Sequence, residues 1–92
     1  MTRIVIKELI WDEFNTEHIK KHNVSKKEVE QIAKNIIAHK KAKLGRYLIF
    51  GRTESRIISV AVSRRKLGVY YPVMARDSAK KERKIVYEKE KV

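Results

Sequence analysis

The chain has 92 residues, and 23 lysines and arginines against 11 aspartates and glutamates give it a formal charge of +12. That length holds one domain, residues 1–92, with a single modest core, and excludes two domains of ordinary size. Cysteine is absent and the apolar runs are only a few residues long, which excludes disulfides, thiolate metal sites and a membrane-spanning helix. Met1-Thr2-Arg3-Ile4-Val5-Ile6-Lys7-Glu8 also lacks the apolar stretch and cleavage site of a signal peptide, so the expected compartment is the cytoplasm. A hydrophobic fraction of 42%, with one Pro and three Gly, argues against wholesale disorder.

Residues 3–10 are rich in β-branched side chains and predict a strand or extended arm. Asp12 or Asn15 then caps a short helix to about Lys21, on which Phe14, His18, Ile19 and His22 share one face. Asn23 is suited to a left-handed cap. Ser25 and Glu28 form a capping box for a second helix, whose apolar stripe is Val29, Ile32, Ala33 and Ile36. The pattern dissolves at His39-Lys40-Lys41, and residues 39–45 read as a basic connector. Residues 46–51 form a strand, 53–55 a turn, and 57–62 a second strand, apolar on both faces and therefore central. Residues 63–68 read as a basic hairpin loop holding Arg64-Arg65-Lys66, and 69–74 as a third strand. Pro72 cannot donate to a ladder, which places it at an edge or a bulge. Asp77 or Ser78 caps a last helix from Ala79 to about Tyr87, with Ala79, Arg83, Val86 and Tyr87 inward; residues 88–92 fray. The order β-α-α-β-β-β-α predicts an α+β domain: a small antiparallel sheet with two N-terminal helices and one C-terminal helix, packed on one side.

The charge is uneven. Residues 1–37 carry +1 and residues 77–92 carry +2, whereas residues 38–76 hold ten bases against one acid, Glu54, a surplus of +9. Such a field attracts polyanions, nucleic acid first and an acidic protein second; the plain alternative is a solvated lysine-rich surface. His18 and His22 lie four apart, a spacing that can hold a metal. Ile19, however, stands where a zinc-protease motif needs Glu, and there is no Cys to complete a shell. Partly buried imidazoles, or imidazoles in proton transfer near neutral pH, are the competing readings. There is no phosphate-binding glycine loop and no serine elbow. Nothing calls for a cofactor.

Trp11, Tyr47, Phe50, Tyr70 and Tyr71 are core candidates that could also stack on bases, and one of Tyr70 and Tyr71 must face outward. Arg52, Arg56 and Arg76 flank strand ends and offer planar forks that match phosphate oxygens. With Glu82 and Arg83 they supply what RNA cleavage by its own 2′-hydroxyl needs: a proton acceptor, cations for the pentavalent state and a proton donor for the leaving 5′ oxygen. The competing reading is a set of salt bridges to Glu54, Asp77 and Glu82.

Four stretches together resemble the BrnT family of ribonuclease toxins from type II toxin–antitoxin modules. They are Trp11-Asp12 with Lys21-His22-Asn23-Val24-Ser25; Glu28-Val29; Gly51-Arg52-Thr53 with Arg56; and Ala75-Arg76 with Ala79, Glu82-Arg83 and Tyr87. The resemblance implies a RelE-like fold, metal-independent RNA cleavage that arrests translation, and neutralisation by a ribbon-helix-helix antitoxin of the BrnA kind. Operator DNA would be met only through that antitoxin. Carried over by position, His22, Arg52, Arg76 and Glu82 are the expected catalytic residues, His22 or Glu82 exchanging protons while Arg52 and Arg76 hold the phosphate. Lys21, Arg46, Arg56, Arg64, Arg65, Lys66, Arg83 and Tyr87 are the expected RNA contacts. Asn23 departs from the family's Gly, Lys26 from its common aromatic, and Pro72 is unusual. A non-catalytic RNA- or DNA-binding module with the same basic face is the alternative.

Overall fold

The computed structural model describes residues 4–54 and 56–91; Arg3 of the arm, Ser55 of the turn and Val92 of the tail lie outside the described residues. The elements are β1 (Glu8–Leu9), α1 (Glu13–Lys20), α2 (Lys26–Lys34), β2 (Ala38–Lys41), β3 (Arg46–Arg52), β4 (Ile57–Lys66), β5 (Val69–Asp77) and α3 (Lys80–Glu90). The α+β class and the order of the helices are as expected. The sheet runs β1-β5-β4-β3-β2, with β2 to β5 an antiparallel meander and β4 at its centre.

Three expectations about the sheet and its layers need correction. The sheet is mixed, because β1 pairs parallel to β5: the Lys7 and Glu8 amides donate to Gly68 O and the Ile10 amide to Tyr70 O. Two residues of the arm thereby cover an edge that would otherwise be open. The first part of the connector expected over 39–45 belongs to a strand, β2, in register with β3 from Ala38↔Phe50 to Lys41↔Tyr47. Its lysines hide the period because an edge strand needs few apolar positions. Finally, the helices lie on both faces. Ile49, Ile58, Val60, Val62 and Ala75 pack with Ile19, Val29 and Ile32 of α1 and α2, whereas the alternate residues Phe50 and Ile57 pack with Ala38 and with Val86 of α3. Two-residue alternation along the strands makes both layers.

Local chemistry explains the rest. Asp12 and Asn15 close a capping box on α1, Ser25 and Glu28 close one on α2, and Asn23 takes φ 57 between them. The α1 face differs from the expected one: Asn15 and Ile19 are buried, while Phe14 and His22 are exposed and His18 is half-buried. Asn15 is drawn inward because its amide donates to Ile10 O at 2.8 Å while its Oδ1 accepts from the Asp12 amide. Pro72 sits at a bulge, where the register steps from Ala61↔Met74 to Val62↔Pro72. At α3 the cap is Ala79, not Asp77 or Ser78. Ala79 has no side-chain acceptor for the first turn, and Glu82 makes the other half of a capping box by accepting from the Ala79 amide at 2.9 Å. Its inward residues are Glu82 and Val86, with Ile85 and Arg83 partly covered; Ala79 and Tyr87 are exposed. The β2–β3 hairpin turns through Leu44 and Gly45 at φ 61 and 69, with the Arg46 amide on Lys43 O, a tight turn that demands left-handed backbone at both central positions.

Candidate phosphate-binding groove

The end of β3, the β3–β4 turn, the end of β5 and the first turns of α3 meet around a groove of about 410 Å³. Arg52, Arg56, Arg83 and Tyr87 line it, with Asp77 and Ser78. Arg52 is the last residue of β3. Its Nε and Nη2 donate to Glu90 Oε2 and Oε1 at 2.7 and 2.9 Å, and its guanidinium carbon lies 5.8 Å from the Tyr87 ring centroid. Arg56 follows the turn that the Thr53 amide closes on Arg56 O. Its guanidinium ties three elements: it donates to the carbonyl of Asn23, to Glu28 Oε1 at 3.0 Å and to Asp77 Oδ1 at 3.2 Å. Arg83, one turn into α3, donates to Ser78 O at 2.6 Å. Among the described residues, Arg83 is the groove arginine with no carboxylate partner.

Beneath the groove lies a clamp. Arg76 donates to both oxygens of Glu82, at 2.8 and 2.9 Å, and to Asp77 O at 3.1 Å. Glu82 is buried and also accepts from the Ala79 amide and from Ser59 Oγ, which is 2.6 Å from Ser78 Oγ. The Arg76 fork, aided by those two donors, outweighs burial and holds the Glu82 carboxyl at about 2. A carboxylate so acidic, with its oxygens occupied, is poorly matched to proton exchange near neutrality. It fixes the backbone that carries Asp77, Ser78 and Arg83. The arginines answer in kind: Glu90, Glu28 and Glu82 raise Arg52, Arg56 and Arg76 respectively, the carboxylate contact being the largest cause in each.

The expected site residues therefore divide. Arg52, Arg56, Arg83 and Tyr87 come together, and Arg76 with Glu82 supports them from below on the same sheet face. His22 does not line the groove. It is exposed, and its link to the groove is along the chain, one residue before the carbonyl that Arg56 holds. Lys21 lies on the outer side of α1 with Phe14 and His18. Arg46, Arg64, Arg65 and Lys66 stand at the opposite end of the strands: Arg46 opens β3, which Arg52 closes. Phe50 and Tyr70 are buried, and Tyr71 is the outward member of its pair, its hydroxyl donating to Asp12. Sequence reasoning missed Glu28 and Glu90 as arginine partners. The capping box had already assigned Glu28 a role, and Glu90 lay in a tail expected to fray.

Among the described residues, no three His, Asp or Glu gather as a metal-binding set, and no helix is long and apolar enough to cross a membrane. No family model, curated protein or solved structure matches the chain.

Proposed function

We propose that the protein is a toxin-type endoribonuclease with a RelE-like arrangement, gripping RNA phosphate in the groove of Arg52, Arg56 and Arg83. The observation that carries this reading is the convergence of three guanidiniums and an aromatic ring in one groove, with Arg83 fixed by Ser78 O yet unpaired. A planar fork held in place but not neutralised suits a phosphate oxygen. In the reaction the ribose 2′-oxygen loses its proton and attacks the adjacent phosphorus. The P–O5′ bond breaks, the 5′ oxygen is protonated, and a 2′,3′-cyclic phosphate and a 5′-hydroxyl result. RNA brings its own nucleophile, so a metal is not required. Arg83, the groove arginine with no carboxylate partner among the described residues, stabilises the charge on the pentavalent phosphorus. Arg52 and Arg56 join it by exchanging their carboxylates for the phosphate, and His22 takes the 2′ proton and returns it to the 5′ oxygen. Glu82 and Arg76 hold the floor. This revises the roles expected for those two.

The full reading includes arrest of translation in the cytoplasm and neutralisation by a ribbon-helix-helix antitoxin, which alone meets operator DNA. The second reading, a non-catalytic RNA binder, is favoured by one specific feature: Glu82 is locked onto Arg76, and His22 does not line the groove. Incubating the pure protein with RNA in EDTA separates the two. Cyclic-phosphate ends, lost in Arg83→Ala and in His22→Ala, support the nuclease. Intact RNA at enzyme excess, with binding still lost in Arg83→Ala, supports the binder. Cleavage unaffected by Arg83→Ala refutes the groove.

A further inference from the structure

Arg52 and Arg56 in the groove are answered by carboxylates, and beyond Arg83 the unpaired positive charge lies elsewhere. Lys41, Lys43 and Arg46 flank the tip of the β2–β3 hairpin, and Arg64, Arg65 and Lys66 flank the tip of the β4–β5 hairpin. Antiparallel pairing brings both tips to one end of the sheet, Arg46 opposite Ser63 and Arg64 opposite Tyr70. Among the described residues, none of the six pairs with a carboxylate. Each tip also carries one leucine in the open: Leu44 is 84% exposed and Leu67 81%. Leu44 is held there in left-handed backbone, φ 61, which disfavours a side chain of its kind. Leu44 and Leu67 are thus apolar surface that the fold itself does not bury.

We propose that the hairpin end is a second RNA-binding surface, separate from the groove, that grips the strand flanking the phosphate held there. This rests on the RNA reading above and adds a substrate class: an RNA long enough to reach both ends. Ile57 in the groove and Arg65 at the tip are eight residues apart on β4, which at ~3.3 Å per residue is about 26 Å. A stacked strand at ~3.4 Å per nucleotide covers that span in about 8 nucleotides. Between the ends, on the α3 side of the sheet, Leu48, Ala61 and Met74 form a row that α3 leaves partly uncovered. Lys80, Lys81 and Lys84 are exposed on α3 itself. The six bases take phosphates and the two leucines pack on base or ribose faces, as apolar wedges do in nucleic-acid grooves.

The test measures affinity for a 20-nucleotide and a 4-nucleotide RNA across a salt series. The wild type is compared with the triple variant Arg64→Gln, Arg65→Gln, Lys66→Gln and with Leu44→Asn. The triple variant is expected to bind the long RNA at least tenfold more weakly, with a salt slope shallower by about 2, as three lost phosphate contacts imply. Its affinity for the short RNA stays within twofold of wild type. Leu44→Asn is expected to melt at a higher temperature yet bind the long RNA several-fold more weakly, a split that a purely structural leucine would not give. Unchanged long-RNA binding in both variants overturns the second surface and leaves the groove standing. Equal losses on both lengths overturn the separation of the two sites. Wild-type binding to neither length fails the RNA reading itself. Poly-glutamate bound as tightly as the long RNA, and lost in the triple variant, overturns the RNA assignment in favour of an acidic protein.

Discussion

Replacing Glu82 with glutamine tests whether this carboxylate is a floor or a proton carrier. The side chain is buried, and glutamine keeps its shape and one acceptor oxygen for the Ala79 amide or Ser59. What it loses is the charge facing Arg76 across two bonds of 2.8 and 2.9 Å. A carboxyl that falls from 4.5 to about 2 on folding contributes about 3 kcal/mol at neutral pH. The Arg76 head is partly solvated, so about 2 kcal/mol is the fair expectation for the variant. For a domain of this size that lowers the melting temperature by about 8–16 °C. The sign with pH follows from the depressed value. The contribution is complete above 4.5 and is lost as pH falls towards 2. Wild type and variant should differ at pH 7 and converge near pH 2. Thermal unfolding followed by circular dichroism at several pH values reads this directly. A difference that stays constant across that range, or is absent at pH 7, refutes the clamp. RNA cleavage abolished in a variant that is still folded at low temperature and binds RNA as tightly as wild type shows that Glu82 takes part in the chemistry.

Other substitutions test neighbouring steps. Arg56→Ala should cost about 2 kcal/mol in urea unfolding, because it leaves the part-buried Glu28 carboxylate with only the Ser25 amide and breaks the tie from Asn23 to Asp77. Arg52→Ala, whose pair with Glu90 is half-exposed, should leave stability unchanged within error while weakening RNA binding. If the two alanine variants are equally destabilised, the tie through Arg56 is unimportant. Ser25→Ala removes the acceptor for the Glu28 amide and should cost about 1 kcal/mol, read as an earlier urea midpoint with an unchanged slope. Gly51→Ala would bring a Cβ to 2.8 Å from Cγ2 of the buried Ile32, and the overpacking should cost about 1–3 kcal/mol. An unshifted melting temperature there would mean that α2 sits more loosely on β3 than its packing implies.

The features legible in the sequence are those whose cause is local. Ser25 and Glu28 make their box within three residues, Asn23 turns the chain by itself, and residues 57–62 are apolar on both faces because each face meets a different helix layer. The unreadable features have causes at a distance. Hydropathy places Phe14 inward, but the Ile10 carbonyl draws Asn15 in instead and turns Phe14 to solvent. β2 exists only because β3 offers it a ladder, and Ala38 is its sole buried residue. The site shows the same division more sharply. Residue types identified arginines suited to phosphate, but Arg56 meets Glu28 across 28 positions and Arg52 meets Glu90 across 38. A segment's formal charge counts side chains without regard to such pairings. The surplus of +9 in residues 38–76 therefore does not act at Arg52, Arg56 and Arg76, whose charges are answered by acids from outside that segment. It acts chiefly at the two hairpin tips, where among the described residues no base is in a salt bridge and only Arg65 has an acid, Asp12, in its vicinity. A polyanion approaching this molecule meets those tips first, and the groove at the far end is left to hold the phosphate delivered to it.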